Sequence, residues 1–214
     1  MLLHQIRDSI ENGYPKDTEN YIQQALKEGY PIKRILEESM VPAMQKIGDL
    51  YRSTDTFIPQ ILASARSMRK GLDALSPYLE KETDPSLAPI ATVIVGTVAG
   101  DLHDIGKNLV AIMFRCAGFQ IIDLGVDVSS KVFLKTIKEH PEVSLVCIST
   151  LLTTSMPQMK QLVKSIRHAF PGRPLKIMVG GAPVTQEFAD EIGADGYTEN
   201  AVDAARLART FFTS

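Results

Sequence analysis

Apolar positions follow two different periods along this chain. Up to residue 80 they recur every three or four residues. In IKRILEESMVPAMQKIGDLY (32–51) they fall at 32, 35, 36, 40, 43, 44, 47, 50 and 51, and in FIPQILASARSMRKGLDALSPYL (57–79) at 58, 61, 62, 65, 68, 72, 75 and 79. That spacing gathers them on one helix face. Pro42 interrupts the first stripe, so a kink or break is expected there. Shorter helical patterns at 2–12 and 17–28 complete a predicted bundle of about four helices. Met40, Met44 and Met68 lie on the stripes and read as core.

From Ile90 the pattern changes to short apolar runs: IATVIVGTV (90–98), FQIIDLG (119–125), VSLVCIS (143–149), LKIMVGG (175–181) and a weaker ADGYT (194–198). Helical patterns at 107–117, 129–139, 156–170, 184–192 and 200–212 alternate with them. Strands this continuously apolar are covered on both faces, as in a parallel sheet. Five strand–helix alternations predict an α/β, doubly wound, flavodoxin-like (Rossmann-like) sheet of five strands. Between the two textures lies EKETDPSLAP (80–89), charged and with two prolines, which reads as a linker. The predicted domains are a helical cap at 1–80, a linker at 81–89 and a sheet domain at 90–214.

In a doubly wound fold the ligand sits beyond the carboxyl ends of the strands, where the strand order reverses. For a flavodoxin-like order that point lies between the first and third strands. The loops there are AGDLHDIGKN and STLLTTSMP, the two polar clusters of this half of the chain.

Composition narrows the classes. Apolar residues make up 44% and charged residues 22%, and the formal net charge is −2. That supports a core and gives no general nucleic-acid surface. MLLHQIRDSIENGY turns polar too soon for a signal peptide, and no run approaches ~20 apolar residues. The expectation is a cytoplasmic protein without membrane or nucleic-acid partners. Cys116 and Cys147 have no CxxC neighbours and read as small buried hydrophobes.

His103, in GDLHDIGKN, is the residue that asks for chemistry. It could be a capping or surface histidine of a strand-to-helix loop. Asp101 and Asp104 flank it, however, and a carboxylate can hold one ring nitrogen and leave the other as a ligand. Gly100 and Gly106 relax the backbone for close approach of something bulky. One histidine cannot hold a free metal ion, so a metal on His103 must bring its other ligands in a macrocycle. A phosphate loop is the natural rival, but neither GxGxxG nor GxxxxGK[ST] occurs there, and the segment is acidic.

These residues carry a resemblance. DLHDIG resembles the D-x-H-x-x-G signature of cobalamin-binding domains that hold the cofactor base-off. STLLTTS is similar to their S-x-L segment, and GGAPVT to their distal glycine pair. IGDLYRSTDTFIPQILASARSM resembles the helical cap that precedes this domain in methionine synthase and in corrinoid proteins of methyltransferase systems. Thr150 departs from the pattern, standing where the family usually has Gly or Ala, and RSTDTF lacks the common glycine before the cap aromatic.

The resemblance implies a set of roles. His103 would be the lower axial ligand of cobalt, Asp101 its relay carboxylate and Ser155 the hydroxyl completing that relay; these three are the candidate catalytic set. Gly100, Leu102, Asp104, Ile105 and Gly106 would line the cofactor beside them. Ser149 and Thr153 would hydrogen-bond the displaced dimethylbenzimidazole tail, and Leu151 between them would also contact the cofactor. Gly180 and Gly181 would leave room for that tail, and Ala201 would lie near the nucleotide. Glu37 and Phe57 would be cap contacts.

The resemblance also implies a methyl carrier, not a complete enzyme by itself. Its cofactor would be cobalamin or a related corrinoid, with cobalt. Its partners would be a substrate-specific methyltransferase of the methanol, methylamine, glycine betaine or O-demethylase type, an acceptor methyltransferase using tetrahydrofolate or a thiol, and a reductive activation protein. Two other uses of such domains stand beside this one. A cobalamin-dependent sensor or regulator adds a DNA-binding module, yet residues 1–28 show no basic helix-turn-helix pattern. A mutase small subunit normally lacks the cap.

Overall fold

The computed structural model describes residues 1–43, 46–47, 58–79 and 89–212. Two compact units divide the chain, Met1–Ala88 and Pro89–Ser214.

The first unit is helical. Helix α1 (Leu2–Glu11) buries Leu2, Ile6 and Ile10 at four-residue spacing, and α2 (Pro15–Lys27), which opens on a proline needing no N–H partner, buries Thr18, Ile22 and Ala25. The Ser9 and Thr18 hydroxyls pair at 2.8 Å in the seam between them. Helix α4 (Ile58–Leu79) packs across both, burying Ile61, Ala65, Met68 and Leu75. A Cβ at Gly13 would stand 2.5 Å from that of Ala63, so the α1–α2 turn lies directly against α4.

Pro42 does not break its helix. Helix α3 (Ile32–Ile35) runs into a wide π turn at Leu36–Met40, and helical backbone continues through 41–43. The Val41 N–H reaches back five residues to the Leu36 carbonyl. Widening this turn accommodates a residue that has no N–H and whose ring would crowd the carbonyl four positions back. Met40 and Met68 are fully buried, as expected of core; Met44 and Phe57 lie outside the described residues.

The second unit is the five-stranded parallel sheet that the run pattern predicts. Its strands are β1 (Thr92–Thr97), β2 (Gln120–Asp123), β3 (Val143–Ser149), β4 (Lys176–Gly180) and β5 (Gly196–Tyr197), in the order β2-β1-β3-β4-β5. Helices α5 (Ile105–Cys116), α6 (Ser130–Glu139), α7 (Met156–Ala169) and α8 (Gln186–Ile192) make the crossovers, and α9 (Ala201–Thr210) follows β5. All six residues of β1 are buried, the signature of a strand covered on both faces. One face packs Ile94, Val146, Ile148, Ile177 and Val179 against Phe133 and Ile137 of α6 and Met159, Leu162, Val163 and Ile166 of α7. Cys147 is buried and unpaired, and burial pushes its thiol pKa far up, so it behaves as a hydrophobe; the Cys116 side chain lies outside the described set.

Register, more than element type, builds the site. Thr97 pairs with Ser149, and Ser149 with Gly180, so the last residues of β1, β3 and β4 stand in one row. The loops leaving them must therefore start side by side, and the first two flank the point where strand order reverses.

Phe133 seats this unit's core. It is fully buried, and a Cβ at Gly96 would come within 2.6 Å of its ring, so the ring packs directly on the β1 backbone. Phe133→Ala is expected to lower unfolding free energy by about 3 kcal/mol in urea denaturation. A loss under about 1 kcal/mol would contradict this packing.

Candidate functional site

The backbone of the β1–α5 loop is held by hydrogen bonds from both flanks. Gly100 has φ +83°, and its N–H donates to Asp127 Oδ1 at 2.7 Å. Asp127, itself in the left-handed region at φ +53°, returns its own N–H to the Asp101 carbonyl at 2.9 Å. The Thr97 hydroxyl donates to the His103 carbonyl at 3.0 Å. The loop is thus pinned from β1 and from the segment after β2. Gly106, by contrast, has ordinary helical backbone; what it contributes is the open space where a Cβ would stand.

The Asp101 side chain is fully buried at this point. Its Oδ1 accepts from the His103 N–H at 3.1 Å and pairs with His103 Nδ1 at 2.7 Å. Its Oδ2 accepts from the Leu151 N–H at 2.5 Å, the Leu152 N–H at 3.3 Å and the Thr150 hydroxyl at 2.9 Å, with Ser155 Oγ at 3.4 Å. Burial alone would raise this carboxyl's pKa. The Leu151 amide, the His103 amide and ring, and the Thr150 hydroxyl more than offset it and hold it well below the usual range. Asp104 takes no part: it opens α5 without a side-chain cap and accepts from Asn108 at 3.0 Å.

With Nδ1 on the carboxylate, Nε2 is the ring nitrogen left for a ligand, and the side chain is 51% exposed. On the same two loops Leu102 (73% exposed), Ile105 (64%) and Leu151 (45%) present large apolar groups to the outside. Among the described residues no group of three or more His, Cys, Asp or Glu side chains could hold a metal ion. One donor atom amid apolar surface fits a metal that brings its other ligands in a flat macrocycle.

The other expected residues distribute as follows. Ser155 is buried beside Asp101 and Thr150 at the end of a short turn, Thr153–Ser155, that leaves Thr153 exposed. Neither Ser149 nor Thr153 caps α7; Ser155 holds the position before it and makes no side-chain cap bond. Ala201 is buried at the start of α9, behind an Asn200 side chain that accepts from the Asp203 N–H. Glu37 lies on the π turn of the helical unit.

The glycine pair divides into two cases. At Gly180 a Cβ would meet nothing within 4 Å. At Gly181, φ is +125° and a Cβ would fall 1.7 Å from the Thr150 carbonyl oxygen. A side chain at Gly181 would therefore collide with the protein's own backbone.

Two contributors carried no sequence expectation of this kind. Thr150 touches both Asp101 and Ser155. Lys107 is buried and donates to both Asp123 oxygens at 2.7 Å, tying α5 to the end of β2. A lysine inside the loop motif, opposite an aspartate ending an apolar run, was the available signal for the latter.

Comparison with known proteins decides the family. Models of the B12 binding domain match residues 91–206 and, separately, residues 2–76. Trimethylamine corrinoid protein 2 of Methanosarcina acetivorans is 39% identical over 214 residues, covering 100% of this chain and 97% of that protein. This chain belongs to the B12-binding corrinoid proteins of methyltransferase systems. Monomethylamine corrinoid protein 1 of Methanosarcina barkeri is 36% identical over 209 residues, covering 97% and 95%. Among solved structures, the methanol:cobalamin methyltransferase complex of Methanosarcina barkeri matches with TM-score 0.83 at 25% identity, over 100% of this chain and 80% of that one. The corrinoid protein described here is a methyl carrier that binds cobalamin or a related corrinoid and so carries cobalt.

Two outcomes follow from the geometry. Gly180→Ala should leave stability of the cofactor-free protein within about 0.5 kcal/mol of wild type. Gly181→Ala should lower its melting temperature clearly, and equal melting of the two variants would contradict the contact with Thr150. Second, a carboxylate held below its unfolded pKa of about 3.9 adds stability above that pH and loses it as pH falls toward the folded value. The advantage of wild type over Asp101→Asn, measured by urea denaturation at about pH 6, should therefore shrink below about pH 4; a constant advantage would contradict it.

Proposed function

We propose that this corrinoid protein holds its cofactor base-off, with His103 Nε2 as the lower axial ligand of cobalt. The observation that carries the reading is the His103–Asp101 pair. A buried carboxylate fixes one ring nitrogen and leaves the other free on a half-exposed side chain, with Leu102, Ile105 and Leu151 exposed on the same loops. Asp101 holds the ring in one tautomer and orientation and makes it a better donor. The space above Gly180, beside Ser149 at the end of β3, is the candidate slot for the displaced nucleotide tail, with Leu151, Thr153 and Ala201 as further candidate contacts. When bound, the corrinoid supplies the metal centre that accepts and gives up the methyl group.

The names of the relatives favour a methylamine methyltransferase as the partner that loads the carrier. An acceptor methyltransferase using tetrahydrofolate or a thiol and a reductive activation protein complete the proposed cycle, placed in the cytoplasm. No helix among the described residues is long and apolar enough to cross a membrane. The division into a helical domain at 1–80, carrying Glu37 and Phe57, a linker at 81–89 and a cofactor-binding domain at 90–214 belongs to the same proposal.

Electron paramagnetic resonance of the cobalamin-loaded Co(II) protein should show nitrogen hyperfine structure from an imidazole, and His103→Ala should lose it. Identical spectra from the two proteins would end the ligand assignment.

A further inference from the structure

Ser155 is the expected hydroxyl partner of Asp101, yet it is not the nearest hydroxyl. Ser155 Oγ lies 3.4 Å from Asp101 Oδ2, whereas Thr150 Oγ1 lies 2.9 Å from the same atom. The two hydroxyl oxygens are themselves 2.5 Å apart. At that separation a proton must lie between them, and each hydroxyl has only one to give. An ionised carboxylate accepts only and draws the stronger bond, so Thr150 gives its proton to Asp101. Ser155 then gives its own to Thr150, whose oxygen is nearer than its other acceptor, the Leu152 carbonyl at 3.0 Å. Reversing the direction would leave Asp101 with the 3.4 Å contact and leave its nearer neighbour aimed away.

Thr150 is built to hold this position. It is fully buried, one residue beyond β3. Its N–H donates to the Gly180 carbonyl at 3.1 Å, and its own carbonyl packs against Gly181, where no side chain fits. The backbone is therefore clamped by β4, and the branched Cβ leaves the hydroxyl few alternatives.

Building on the His103 reading above, we propose that Thr150 is a positioning residue. Its hydroxyl is the direct hydroxyl donor to Asp101 Oδ2 and keeps Oδ1 turned to His103 Nδ1, while Ser155 acts one step further back through Thr150. The relay in this chain has four members: His103, Asp101, Thr150 and Ser155.

The test compares Thr150→Val, which keeps the shape and removes the hydroxyl, with Thr150→Ser, which restores it, and with Ser155→Ala. In cofactor-free protein, nitrogen NMR of the His103 ring reads the Nδ1–H to Nε2–H tautomer ratio. This ratio should fall about tenfold in Thr150→Val and return to within about twofold of wild type in Thr150→Ser. Ser155→Ala should change it less than Thr150→Val does. In the cobalamin-loaded Co(II) protein, the ratio of histidine-bound to histidine-free spectra should follow the same order. Should valine at 150 prevent folding, Thr150→Ala replaces it. An unchanged ring in the hydroxyl-free variant, or a larger effect from Ser155→Ala, overturns the proposal. Absence of imidazole hyperfine in wild type would instead overturn the axial-ligand reading, and the cofactor-free ring measurement would still decide the place of Thr150.

Discussion

The burial of one charged carboxylate organises this site. Asp101 has no access to solvent, and a charge in that setting is tolerated only when donors surround it. Those donors come from two loops about fifty residues apart in sequence: His103 on its own side, and Thr150, Leu151 and Leu152 beyond β3. They converge because β1 and β3 are neighbours and end in register, Thr97 beside Ser149. A sheet with any other strand between these two would leave Oδ2 of the carboxylate without its donors, with only His103 on Oδ1. Strand order and site chemistry are one constraint seen at two scales.

The surrounding contacts make that arrangement rigid. Asp127 grips both Gly100 and the Asp101 backbone, Lys107 locks α5 onto Asp123 at the end of β2, and β4 holds the Thr150 peptide from the opposite side. Each contact fixes a different edge of the same crevice. The result is a histidine whose ring is oriented by buried groups although half of the side chain is exposed.

The fold was largely legible because it depends on burial period. Runs such as IATVIVGTV and VSLVCIS mark strands covered on both faces, and the structure places β1 and β3 inside them. The His103–Asp101 pair was legible because both residues lie in one short motif. Thr150 was not, because its bonds to Asp101 and Ser155 depend on which strands adjoin, and no local pattern records that. The turn at Leu36–Met40 was hidden for a related reason: Pro42 announces that regular hydrogen bonding must fail, without saying whether the helix breaks or widens. The crowding of Gly181 by the Thr150 carbonyl was hidden in the same way, since it too depends on which strands adjoin. An empty slot and a crowded backbone both ask for glycine, and only coordinates separate them.

The exposure of Leu102, Ile105 and Leu151 follows from the same design. An apolar patch beside a polar relay is unfavourable in water and becomes useful when a large ligand covers it. On the proposed reading, these side chains would contribute to affinity in proportion to the area covered, while His103 would contribute one directional bond. Such a division suits a carrier that has to keep its cofactor through repeated methyl transfers. Retention would rest on broad apolar contact and on the tail slot, leaving the axial bond free to be set by Asp101 and the hydroxyls behind it. Changes at Thr150 or Ser155 would then alter how His103 meets the metal without releasing the cofactor, whereas changes at Gly180 would do the reverse.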